Sequence, residues 1–151
     1  MRSLRLIVCG CVAVCGMLAL DATVVFAQGP GVRAGVSVDP DQFYVGGHYE
    51  TGELVDDLYL RPNLEVGFGD DLTTVAINIE AIYKFALKRR DTRFYVGGGP
   101  AINIYDGEND SDTEGGLNLL AGLEFGKVFI EVKGGVFDSP DLKVGIGYTF
   151  R

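Results

Sequence analysis

The chain has 151 residues, with 13 Lys plus Arg against 21 Asp plus Glu and a formal net charge of −8. That acidity argues against a nucleic-acid partner, which needs a basic face, and the length bounds the fold to one domain. All three cysteines, Cys9, Cys11 and Cys15, lie near the N-terminus, so the rest of the chain has no disulfide framework and no cysteine-based metal chemistry.

Residues 1–27 have the layout of a secretory signal peptide. Arg2 and Arg5 precede a mostly apolar run from Leu6 to Leu20, and Val25-Phe26-Ala27 stands before Gln28. Asp21 interrupts the run before about twenty apolar residues accumulate, which disfavours a retained spanning helix. Residues 28–151 are read as the single folded domain. No apolar run of spanning-helix length occurs in it, so a membrane location requires a barrel.

Eight segments of period two follow in order, each expected to be a strand. Val32 to Val38 leads through Asp39-Pro40-Asp41 into Phe43 to Tyr49, and a polar connector runs from Glu50 to Asp57. Leu58 to Phe68 comes next, with a bulge expected at Pro62 because proline cannot donate to a ladder. Thr73 to Leu87 alternates most clearly, and its β-branched content also favours strand. Lys88-Arg89-Arg90-Asp91 turns into Arg93 to Tyr105, and Asp106 to Gly116 reads as the one long loop, acidic and rich in turn formers. Leu117 to Phe125 and Val128 to Val136 flank a tight Gly126-Lys127 hairpin. The last segment, Leu142 to Phe150, puts Leu142, Val144, Ile146, Tyr148 and Phe150 on one face, and Arg151 follows it.

Across all eight segments the apolar rows carry no charge. The opposite rows carry Arg33, Arg61, Glu65, Glu80, Lys84, Arg93, Glu124, Glu131, Lys133 and Lys143. Those rows are also loaded with small residues: Gly35, Gly46, Gly67, Gly97, Gly99, Ala101, Gly122, Gly145 and Gly147. An eight-stranded barrel has an interior only wide enough for side chains. Long charged groups pointing inward need small neighbours, whereas groups pointing into solvent do not. The charged face is therefore read as the inside. With strands running up and down, the apolar-face aromatics Tyr49, Phe85, Phe94, Phe125 and Phe150 fall toward the rim that holds both termini. Phe43 and Phe68 fall toward the other rim, giving two girdles as at membrane interfaces.

These features resemble the small eight-stranded outer-membrane β-barrels of Gram-negative bacteria, the OmpA/OmpX-like and porin-family barrel domains. The carrying features are the signal peptide, the strand count, the inverted polarity and the Gly147-Tyr148-Thr149-Phe150 end. The resemblance implies an all-β, eight-stranded antiparallel up-and-down transmembrane β-barrel in the outer membrane. It also implies contact with outer-membrane lipid and insertion by the barrel assembly machinery. A monomer is expected.

No enzymatic activity and no cofactor or metal are expected. His48 is the single histidine, and a histidine base needs a nucleophile within reach; the nearest serines in sequence are Ser37 and Ser111. Asp110-Ser111-Asp112-Thr113-Glu114-Gly115 imitates the start of an EF-hand loop, but the twelfth position is Ala121 and no helices flank it. The inward charges number six cations (Arg33, Arg61, Lys84, Arg93, Lys133, Lys143) and four anions (Glu65, Glu80, Glu124, Glu131). Near balance favours mutual pairing that plugs the lumen, where a one-signed lining would favour ion passage. The expected function is a structural or surface-interaction role. A narrow passive pore and a soluble lipocalin-like envelope protein binding a small apolar ligand are the two alternative readings.

Overall fold

The computed structural model describes residues 27–88, 91–108, 110–137 and 139–151. The expected signal peptide, residues 1–27, lies outside the described residues except for Ala27. The described chain forms eight strands and no helix: β1 (Ala27–Val38), β2 (Gln42–Thr51), β3 (Leu58–Gly69), β4 (Leu72–Ala86), β5 (Thr92–Gly107), β6 (Ser111–Phe125), β7 (Val128–Phe137) and β8 (Leu142–Thr149). Each strand pairs antiparallel with the next, and β8 pairs with β1, so the sheet closes as a barrel. Closure gives every strand a neighbour on both sides.

Period-two alternation decides which way each side chain points. Along β2 the odd positions Phe43, Val45 and Tyr49 are exposed, while Tyr44, His48 and Glu50 are buried. The same inversion holds round the barrel: Leu119 on the outside is 61 % exposed, whereas Arg61 inside is fully buried. Outside, the aromatics gather at the rim that holds the chain ends, here called the terminal rim. Phe85 stacks on Phe94 at a centroid distance of 6.0 Å, and Tyr148 meets Phe150 edge-on at 5.1 Å. At the opposite, distal rim Phe43 and Phe68 face each other in register.

Two local expectations are corrected. Residues Ser111–Gly116, read as part of a long loop, belong to β6 and pair with Ala101–Asp106 of β5, so only residues 108–110 connect the two strands. Turn-forming composition misled there, because a polar segment still satisfies its backbone when a regular strand is at hand to pair with it. The hairpin projects past β7, whose last pair is Phe137 with Gly116. The bulge expected at Pro62 is absent: the β3–β4 register runs through it without a shift. The missing donor of Pro62 points at β2, where the β2–β3 ladder stops at Asn63. The register shift lies instead between Ala27 and Gly29, against Thr51 and Glu50.

The strands are strongly staggered. A path across the ladders from Thr149 through Gly31, His48, Asn63, Asn78, Ala101 and Gly116 reaches β7 at Phe137. The backbone N–H of Thr149 itself donates to the β7-edge carbonyl of Lys127, 2.9 Å away. The offset between Lys127 and Phe137, ten residues, is the shear that tilts strands in a closed barrel. The tilt carries inward side chains from distant strands to one level.

Small residues on the inner rows make room for large ones. A Cβ on Gly122 would meet the ring of Tyr95, which is itself fully buried. Gly122→Val is expected to lower unfolding stability by about 1–3 kcal/mol through overpacking, measured by urea titration of the barrel in detergent. A stability equal to the parent's would show that the lumen has slack at this level.

Candidate functional site

The interior of the barrel is the candidate site. Five cations (Arg33, Arg61, Lys84, Lys133, Lys143) and five glutamates (Glu50, Glu65, Glu80, Glu124, Glu131) are buried there. They form two groups. In the group toward the distal rim, Glu65 receives Arg33 at 3.0 Å, Lys133 at 3.1 Å and Lys143 at 2.8 Å. Lys133 also pairs with Glu80, and Arg33 lies 3.5 Å from Glu131. In the group toward the terminal rim, Lys84 bridges Glu50 at 2.6 Å and Glu124 at 2.8 Å. Arg61 joins the two groups, donating to Glu50 at 2.6 Å and to Glu131 at 3.1 Å.

Aromatic and amide side chains complete the filling. The Arg61 guanidinium lies between the rings of Tyr95 and Phe129, 4.9 and 4.6 Å from their centroids. The Tyr95 hydroxyl donates to Glu131 at 2.9 Å. On one wall Asn118 donates to Asn78 and Asn78 to Asn63, each at 2.8 Å, and Asn63 donates to Glu80 at 2.9 Å. Charged donors placed over aromatic faces and on paired carboxylates regain part of what water gave them.

Nine of the ten charged residues singled out from sequence enter this ion-pair network: Arg33, Arg61, Glu65, Glu80, Lys84, Glu124, Glu131, Lys133 and Lys143. Arg93 is placed differently. It is only half-buried. Sequence reading missed Glu50, assigned to a connector, although it continues the inward parity of Tyr44, Gly46 and His48. It also missed Arg151, whose guanidinium turns inward to Glu50 at 3.0 Å and Glu124 at 2.9 Å.

His48 has Nε2 3.0 Å from Thr149 Oγ1, and its ring meets Phe129 edge-on. Ser37 is opposite Gln42, six residues along β2 from His48, and its hydroxyl donates to the Pro40 carbonyl at 2.9 Å. Ser111 sits exposed at the hairpin tip. The serine–histidine geometry that nucleophilic catalysis requires is therefore not assembled from these residues. In the acidic hairpin, Asp110 and Asp112 accept the backbone N–H of Ser111 and Thr113 at 3.0 and 2.8 Å. Among the described residues no three His, Cys, Asp or Glu side chains converge as a metal site.

The interior also bears on an apolar-ligand pocket. Ten charged side chains are packed among its amides and the apolar cluster of Tyr59, Ile82, Tyr95, Leu120 and Phe129, whereas a pocket for an apolar ligand is lined mainly by apolar side chains. No family model and no curated protein matches the chain. Among solved structures it is similar to the N-terminal β-barrel domain of Pseudomonas aeruginosa OprF, with 19 % identity over 83 % of this chain and 99 % of that one, at a TM-score of 0.58. It is likewise similar to Neisserial surface protein A, with 15 % identity over 80 % of this chain and 94 % of that one, at a TM-score of 0.54. At these identities the likeness is one of fold: a small, closed, eight-stranded barrel.

Proposed function

We propose that the chain is an outer-membrane β-barrel with a structural or surface-interaction role, its lumen plugged by paired charges, and that it is not an enzyme. The observation that carries this reading is the inverted polarity: a continuous apolar exterior around a core of ten buried charges. Water would not select such a surface, and a hydrocarbon layer would. The dimensions agree. On β4 ten residues separate Val75 from Phe85, which at ~3.3 Å per residue and a tilt near 40° gives roughly 25 Å of apolar height. Closure meets the requirement that every backbone group in lipid find an internal partner.

The plug rests on charge balance and short contacts. Five glutamates against five buried cations leave no one-signed path for ions. A surface role fits the distal rim, where the connections carry Asp39, Asp41, Asp70, Asp71, Glu108, Asp110 and Asp141 and, among the described residues, no Lys or Arg. The structural likeness to a Neisserial surface protein supports the same direction. On this reading residues 1–27 direct export, the barrel assembly machinery inserts the domain, and the domain stands as a monomer in lipid.

Cells expressing the full chain provide the test. The protein is expected to sediment with the outer membrane and to shift on a gel when boiled, because a closed membrane barrel resists SDS until heated. A periplasmic protein with one mobility, boiled or unboiled, would sink the membrane reading. In planar bilayers the purified barrel is expected to show no steady conductance. Reproducible open steps would replace the plug with a narrow passive pore.

A further inference from the structure

Seven of the eight neighbouring strand pairs are joined by a turn, and β8–β1 is the pair without one. At the terminal rim the last ladder pair of this seam is Gly31 with Thr149. Beyond it the Phe150 N–H donates to the Pro30 carbonyl at 2.8 Å. Two further ties bypass β1 altogether. On the first rung, Gly31 stands opposite His48 of β2 on one side and Thr149 of β8 on the other. Having no side chain, it lets His48 Nε2 reach Thr149 Oγ1 at 3.0 Å; a Cβ there would strike the imidazole. On the second rung Gly29 stands opposite Glu50. Over it, Glu50 Oε1 accepts Arg151 Nη2 at 3.0 Å, and the same nitrogen lies 2.9 Å from Glu124 on the far wall.

We infer that His48–Thr149 and Glu50–Arg151 form an interior clasp that holds the β8–β1 seam shut at its unlinked end. A backbone ladder alone frays more readily where no turn joins its two strands. The clasp bonds the β8 end to β2 and β6, strands that are each held by turns to their neighbours, so opening the seam also breaks one buried polar contact, His48–Thr149, and one part-buried one, Glu50–Arg151. The Arg151 contacts form only when β8 has reached β1 and the lumen has closed.

The test is amide exchange of the assembled full-length domain in micelles, read strand by strand, for Thr149→Val, Arg151→Ala and the double variant, with Asn118→Ala as a control on the opposite wall. Loss of the clasp is expected to speed exchange at Tyr148, Phe150 and the β1 amides facing β8 by about tenfold or more, while the β4–β5 ladder keeps the parent's rates. The control is expected to leave the seam as it is. Should the double variant fail to close, the single variants decide. Seam exchange at the parent's rate in both singles, or acceleration spread equally over all ladders, would overturn the clasp.

Discussion

Ile79→Arg is expected to destabilise the barrel in a lipid bilayer by roughly 2–4 kcal/mol. Ile79 is on the outer face of β4, 52 % exposed, four residues from Val75 on one side and four from Tyr83 on the other. It therefore stands near the middle of the apolar height. In water an arginine at such an exposed site would stay within about 0.5 kcal/mol of neutral. In lipid its guanidinium has no hydrogen-bond partner near by and must snorkel or drag water inward. Leu87→Arg, at the terminal rim where the side chain is 44 % exposed, is expected to cost only about 0–1 kcal/mol, since interfaces tolerate cations. Urea titrations of the two variants in lipid vesicles check this directly. Equal and negligible effects at both sites would mean that the apolar exterior is covered by something other than a bilayer.

Glu65→Leu addresses the interior and is expected to cost at least 3–5 kcal/mol, enough to leave a large unfolded fraction in a marginally stable barrel. Glu65 is 1 % exposed and meets Arg33, Lys133 and Lys143 together. Taking it away strands cationic charge in a space from which water has been removed, and the desolvation already suffered by those cations loses its compensation. The sign of the effect should change when the partners go too. Adding Lys133→Met and Lys143→Met to Glu65→Leu is expected to recover part of the loss, because two of the three stranded cations go with the carboxylate while Arg33 and Glu80 keep their charges. Simple additivity of the three substitutions would show that the charges do not act as one network. Conductance on the same triple variant separates two meanings of the plug: a lumen that stays closed is filled by volume, and one that opens is sealed by pairing.

Parity was legible in every strand. Along β4, Val75, Ile77 and Ile79 alternate with Ala76, Asn78 and Glu80, and the structure puts Ile77 and Ile79 outside and Ala76, Asn78 and Glu80 inside. The small inward residues told which face was the inside, because Gly122 leaves room for Tyr95. Where reading failed, the cause was composition overruling parity. The polar neighbours of Glu50 suggest a connector and the turn formers of Ser111–Gly116 a loop, yet both lie in paired strands. Pro62 misleads in the opposite sense: a missing donor predicts a bulge, but the ladder on that side ends there.

Local patterning is enough to show that the chain makes strands, that apolar and charged residues take opposite faces, and that the charged face needs small neighbours. All three are local properties, set by the two-residue repeat of an extended backbone. Which charge meets which follows from the closed fold. Lys84 on β4 bridges Glu50 on β2 to Glu124 on β6, and Arg151 crosses from the chain end to both. Those meetings depend on closure and on the ten-residue stagger between Lys127 and Phe137. Stagger is fixed by pairing around the whole circumference, so no window of the chain contains it.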